Sequence, residues 1–259
     1  MLCGILVPTK GEVIVDGIIP YKNRKENAMK MGVVFGQRSQ LNWDLPMEDT
    51  FDLYKKMYKV DDIRFKRNVE FFTELMDMKD FLRKPVRQLS LGQKMRAELA
   101  ISLLHDPEIL YLDEPTIGLD VVVKDKIRTF IKELNKEKNN TVILTTHDMT
   151  DIVQICNRII MIDHGKILKD SSLDAFKKEN SNNHTVWVEF ENKEQGPFDH
   201  RLSILKGDEY KKLFAFKKDD FSVKEVLIYF SQQFNISDIS IKAQEIDEIV
   251  RKIYENSNM

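Results

Sequence analysis

Cysteine is nearly absent from this 259-residue sequence: Cys3 and Cys156 are its two examples. They have no metal-ligand spacing, and two thiols do not make a disulfide framework, so a reducing compartment, by default the cytosol, is expected. Charge of one sign is also lacking. The 40 Lys and Arg stand against 42 Asp and Glu, for a formal net charge of -2, which offers no electrostatic case for nucleic acid. Long apolar runs are missing too. The start Met1-Leu2-Cys3-Gly4-Ile5-Leu6-Val7 has no basic n-region and stops at Pro8-Thr9-Lys10, too short for a signal peptide or a membrane span. It reads as the tail of a core helix cut upstream. No later segment comes near the roughly 18 apolar residues of a spanning helix, so any membrane role is expected to be peripheral. No internal repeat, heptad run or low-complexity tract occurs. What remains is ordinary for a globular protein. The hydrophobic fraction is 42%, and the length suits one large domain, or one domain plus a small appendage.

Apolar periodicity divides the chain. Gly11-Glu12-Val13-Ile14-Val15-Asp16-Gly17 alternates between glycines and reads as a strand closing in a turn. Met31-Gly32-Val33-Val34-Phe35 is a second strand, with Gln37 just beyond its carboxyl end. From about Asp49 to Leu82 apolar residues recur near a 3.6 period, a helical insert. A helix from Leu91 to His105 is closed by Asp106-Pro107, and the buried run from Ile109 to Leu112 follows, as expected of a strand covered on both faces. A helix from Val122 to Lys138 and a strand from Thr141 to Thr146 complete a strand-helix-strand unit, which predicts an α/β doubly wound core. A helix from about Thr150 and a strand from Arg158 to Asp163 are expected to finish it. Lys, Asn, Ser and Asp then dominate to Asn183 and suggest a linker, taken as residues 171–184. Residues 185–259 alternate again and carry two helical stretches, a small α+β piece in which Phe214 and Phe216 read as core.

Polar groups punctuate the strand ends. Gln37, Asp113 and His147 each leave a predicted strand at its carboxyl end, where open α/β sheets bind ligands. Asp113-Glu114 alone reads equally well as a charged turn, and His147 as the start of a helix capped by Asp148 or Thr150. Convergence of the three points instead to phosphoanhydride hydrolysis. That reaction needs a bridging magnesium ion, an in-line water and a group to take its proton. Asp113 suits the ion, Glu114 the proton, and His147 the γ-phosphate. Ser90-Leu91-Gly92-Gln93 at a helix start offers free N–H groups and a positive dipole end to a phosphate, and is also a capping box.

Over residues 1–170 these segments together resemble the ATP-binding cassette (ABC) family, the motor subunits of ABC transporters. Leu89-Ser90-Leu91-Gly92-Gln93 resembles the family signature, residues 110–114 the Walker B strand, and Gly118-Leu119-Asp120 the D-loop. His147 resembles the switch histidine, Gln37 the Q-loop glutamine, and residues 6–11 the segment one helix after the phosphate loop. The resemblance implies a P-loop NTPase-like ABC cassette with a helical insert over about residues 44–105, lacking its first strands. ATP and Mg2+ are the implied cofactors. Asp113 and Gln37 would touch the metal, Glu114 and His147 would be catalytic, and Gln37, Ser90, Gly92, Gln93 and Asp120 would contact nucleotide. The implied partners are a second ABC subunit, head to tail across two ATPs, and a membrane permease docked on the insert, which would place the protein on the inner face of the cell membrane. The signature, the wording of residues 110–120 and the extra C-terminal piece resemble the bacterial export-type, ABC-2 class. Cassettes of translation or DNA repair usually pair two copies in one chain or carry a long coiled coil, and neither is present.

Two departures stand out. Leu91 replaces the first glycine of the signature pair, and the phosphate-cradling G-x-x-x-x-G-K-[ST] loop is missing from the sequence. Charge-assisted hydrogen bonds contribute roughly 1.5 to 3 kcal/mol each, so several lost together weaken nucleotide binding by powers of ten. Two accounts follow: a truncated gene product, or a degenerate regulatory cassette that completes a partner's ATP site through its signature. The 259 residues alone are expected to hydrolyse ATP weakly or not at all.

Overall fold

The computed structural model describes every residue except 37, 38, 181, 244, 245, 258 and 259. It divides into two compact units, Met1–Ile155 and Cys156–Met259.

The first unit is built on three parallel strands in the order β1-β2-β3: Met31–Phe35, Ile109–Asp113 and Thr141–Thr145. Their register runs without a slip, Met31 beside Ile109 beside Thr141 at one end, and Phe35 beside Asp113 beside Thr145 at the other. All three chains therefore leave the sheet on one rung. Leu110, Tyr111 and Leu112 are consecutive buried residues, as a central strand covered on both faces requires. β3 shows its odd-numbered residues to solvent, with Ile143 41% exposed, and among the described residues it pairs with β2 alone.

Helix α1 (Arg24–Lys30) feeds β1. Between β1 and β2 lie α2 (Met47–Tyr58), α3 (Asp62–Leu75) and α4 (Leu91–Ser102). The predicted helical stretch is broken where Lys59 turns left-handed (φ 53) and Asp61 restarts it, its carboxylate accepting from the Arg64 N–H at 2.9 Å. Phe51, Phe72, Leu99 and Phe130 join Leu110 and Leu112 in one core, with α5 (Val121–Lys138) supplying Ile127, Ile131 and Leu134 and α6 (Met149–Ile155) ending the unit.

The second unit opens with an antiparallel pair, β4 (Arg158–Asp163) and β5 (Lys166–Ser172), followed by α7 (Leu173–Glu179). A four-stranded antiparallel sheet of order β7-β8-β6-β9 follows, from β6 (Asn183–Phe190), β7 (Ser203–Gly207), β8 (Lys211–Lys217) and β9 (Ile236–Ala243). Helix α8 (Val223–Gln233) precedes β9, and α9 (Ile246–Ser257) ends the chain. Phe190, Phe214, Phe216 and Phe230 are buried in its core.

Four sequence expectations change. The Gly11 to Gly17 segment forms a turn, with Asp16 and Gly17 both left-handed and a bridge between Val15 and Ile18; among the described residues no second strand lies alongside to extend it. Met1 to Val7 is a series of turns rather than a helix end, and Ile5, Leu6 and Val7 are more than half exposed. β4 belongs to a hairpin in the second unit, not to the parallel sheet, because His164 and Gly165 both take positive φ (45 and 74) and reverse the chain in two residues. The supposed linker is therefore β5 and α7, and the units divide at Ile155 and Cys156 rather than near residue 170.

Candidate functional site

The shared last rung of the sheet sets the geometry. Asp113 and Thr145 are register partners, and the Thr145 hydroxyl donates to Asp113 Oδ1 at 2.5 Å. Glu114 then turns left-handed (φ 49), a conformation that costs a non-glycine residue about 1 kcal/mol. It is held there by its N–H, which donates to the Thr145 carbonyl at 3.0 Å. On the other side the Gly36 N–H donates to the Asp113 carbonyl at 2.8 Å. A β-carbon on Gly36 would lie 2.4 Å from that oxygen and 2.8 Å from the Glu114 oxygen, so this approach admits glycine alone.

Two residues past the rung, His147 meets Glu114, with Nδ1 3.1 Å from Oε1. An ionised carboxylate can only accept, so Nδ1 carries the proton and donates, and Nε2 is left for a ligand. The ring is 72% exposed. Asp113, Glu114 and His147 thus form one group at the carboxyl edge of the sheet. Gln37, expected beside them, lies outside the described residues.

Ser90, Gly92, Gln93 and Asp120 form a second group. Ser90 caps α4: its hydroxyl accepts from the Gln93 N–H at 3.2 Å, and Gln93 Oε1 accepts from the Ser90 N–H at 2.9 Å. Asp120 caps α5 in the same way, accepting from the Val123 N–H at 3.0 Å. The two helix starts abut. A β-carbon on Gly92 would meet both Val123 methyls at 3.1 Å, and one on Gly118 would meet the Leu91 side chain at 3.4 Å. Leu91 itself is 53% exposed, pointing its bulk away from the core. Among the described residues no hydrogen bond joins this group to the Asp113 group.

A buried carboxylate ties α4 to the segment after Gln37. Glu98 Oε1 accepts from the Ser39 hydroxyl at 2.5 Å and the Gln40 N–H at 2.7 Å. Burial raises its carboxyl above the usual range, against the pull of those donors. Sequence reading passed over Glu98, as it did Thr145, Gly36, Thr116, Arg128 and Asp151. The Gly36 approach and the Thr145 bond depend on strand register, which periodicity does not supply. Glu98 had one available signal, a charge on the apolar face of a helix.

A cavity of about 690 Å³ lies elsewhere, at the amino ends of β2 and β3, among Arg67, Asp106, Lys138 and Asn140. Its Asp106 carboxylate is already filled: although burial opposes ionisation, donors from Asn68, Lys138 and Arg64 hold Asp106 at about 2. Among the described residues no three His, Cys, Asp or Glu side chains cluster as a metal cage. Asp113, with Oδ1 engaged by Thr145, offers one carboxylate, which suits a magnesium ion that takes its other ligands from phosphate and water.

Residues 1–117 match the family described as ABC transporter. The chain is similar to the ABC transporter ATP-binding protein NatA of Bacillus subtilis, 28% identical over 175 residues, 68% of this chain and 71% of that one. It is also similar to the bacitracin transport ATP-binding protein BcrA of Bacillus licheniformis, 32% identical over 180 residues, 70% of this chain but 58% of that one. Among solved structures it is similar to a dimeric ATP-binding cassette in a post-hydrolysis state bound to ADP and Pi, with a TM-score of 0.58 and 27% identity over 66% of this chain and 77% of that one.

Proposed function

We propose that the chain, whose residues 1–117 match the ABC transporter family and whose fold is that of solved ATP-binding cassettes, is the ATP-binding, ATP-hydrolysing subunit of an export-type transporter. It works with a second cassette and drives a separate membrane permease from the cytoplasmic face. No helix among the described residues is long and apolar enough to cross a membrane.

One observation carries the reading: Asp113, Glu114 and His147 leave one rung of a parallel sheet, with Glu114 and His147 in contact at 3.1 Å. Asp113 would hold Mg2+, which when bound neutralises charge on the phosphates. Glu114 takes the proton of the attacking water. His147 steers Glu114 through Nδ1, and a proton on Nε2 as well would let the ring donate to the γ-phosphate. Gln37 would join the metal from the neighbouring strand. At the start of α4, beside the Asp120 cap of α5, the capping box takes up the Ser90 and Gln93 N–H groups, so the N–H groups of Leu91 and Gly92, with the Ser90 hydroxyl beside them, would meet a partner's phosphate.

The phosphate-cradling loop is not among these 259 residues, and the test supplies it. Phosphate release is expected to be negligible from the chain alone. It becomes Mg2+-dependent once a glycine-rich loop and its strand are joined ahead of Met1. Glu114→Gln then lowers the rate by about a hundredfold or more, and release that survives this change sinks the proposal. The abutting helix starts at Ser90 and Asp120 also allow a second reading, a regulatory cassette completing a partner's site. In that case Ser90→Ala slows the partner while Glu114→Gln changes nothing.

A further inference from the structure

Behind the half-buried Glu114 and the exposed His147 lies a buried ionic unit that the reaction itself does not touch. Asp151 is fully buried, Arg128 is 4% exposed and Thr116 2%. The Asp151 carboxylate has both oxygens filled. Oδ1 accepts from Arg128 Nε at 2.6 Å, and Oδ2 accepts from the Thr116 hydroxyl at 2.6 Å and the Thr146 hydroxyl at 2.9 Å. Arg128 Nη2 reaches on to Asp148 Oδ2 at 3.1 Å, where Lys124 Nζ also donates at 2.7 Å. Its Nη1 donates to Asp125 at 3.0 Å.

These partners are not scattered. Thr116 lies two residues after Glu114, and Thr146 and Asp148 flank His147 on either side. One carboxylate thus grips the loop of Glu114 and the loop of His147 together, and α5 braces it through Arg128. Removing two ions from water costs more than a bare pair returns, and an apolar substitute would hold a core as well. What the ions add is a single permitted arrangement of the two loops, since any slippage strands a hydroxyl or a guanidinium N–H away from water.

We propose that Asp151, seated by Arg128, is a positioning residue that locks the Glu114 loop to the His147 loop. This rests on the roles given to Glu114 and His147 above. The unit is a further link between the loops, beyond the strand-end bonds of Thr145 to Asp113 and Glu114 and apart from the Glu114 and His147 contact, and it sets the distance at which that contact forms.

The test reads the His147 ring directly, by the 1H–13C resonance of its Cε1–H in the full 259-residue chain, assigned with His147→Gln. Glu114→Gln marks the position of the ring without its carboxylate partner. Asp151→Asn is expected to move the resonance toward that position. Thr116→Val, a mild change on the other loop, moves it the same way, while Thr116→Ser, which keeps the hydroxyl, leaves it in place. The four other histidines stay put. A His147 resonance unmoved in both Asp151→Asn and Thr116→Val, whatever happens to thermal stability, overturns the proposal. The hydrolysis reading fails separately, through phosphate release indifferent to Glu114→Gln, and that result leaves the resonance comparison standing as the judge of the clamp.

Discussion

Gly36 has no room for a methyl group, because backbone oxygens of Asp113 and Glu114 stand 2.4 and 2.8 Å from where it would sit. Neither oxygen can swing aside as a side chain would. Gly36→Ala is therefore expected to cost about 2 kcal/mol or more in denaturant unfolding, and to loosen Glu114. His105 makes a second prediction. It is buried under the Tyr58 ring, 3.9 Å between centroids, and its Nε2 donates to the Met31 carbonyl at 3.1 Å. Its Nδ1 finds no partner among the described residues, which suits a neutral ring and would strand a second N–H. Burial pushes His105 down to about 4, whereas an unfolded histidine titrates near about 6.5. The unfolded chain thus binds the extra proton in that window, and stability falls as pH drops from about 6.5 to about 4, by up to about 3 kcal/mol. Below that both states are protonated and the loss levels off. His105→Gln should flatten this part of the stability curve relative to wild type, and parallel curves would refute the assignment. Sequence alone pointed to Asp113, Glu114 and His147 because each ends an apolar run. It was silent on Thr145 and Asp151, whose partners are neighbours only once the strands are in register.

The Ser90 cap was the most legible helix start, since a cap is a local matter of one side chain and the next three N–H groups, and Ser90 with Gln93 does cap α4. Asp61, Asp120 and Ser222 with Glu225 cap their helices in the same way, but the apolar period alone did not single them out. Ser90→Ala is expected to destabilise α4 by about 1 kcal/mol, visible as faster amide exchange over its first turn. Asp163-His164-Gly165-Lys166 was misread, although Gly in the second place of a two-residue turn is a hairpin signal, and His164 and Gly165 are both left-handed here. Its Lys- and Ser-rich continuation looked like a linker because β5 is largely exposed and has little apolar content to betray a strand. β1, β2 and β3 were readable from apolar runs. Which strand lay beside which was not, and β4 was assigned to the wrong sheet for that reason.

Each of the two units closes its own core, one around Phe51, Phe72, Phe130 and Leu112, the other around Phe190, Phe214 and Phe230. Phe230 is fully buried against Phe214, Phe190 and Phe234, with centroids 5.2 to 6.4 Å apart. Phe230→Ala is expected to cost about 3 to 5 kcal/mol, confined to residues 156–259. Hydrogen exchange that accelerates equally in β1, β2 and β3 would show instead that the units melt as one. The chain's separation into a cassette and an α+β piece was visible from composition, whereas the boundary depended on a hairpin that composition hides.

The left-handed backbone at residue 114 brings an opposition between durability and chemistry. Glycine there would relieve the strain and add about 1 kcal/mol of local comfort, yet under the role proposed for Glu114 it would leave the water with no base. A screen for heat resistance would therefore favour Glu114→Gly, and a screen for turnover would discard it, so variants chosen for toughness at this corner are expected to be the silent ones.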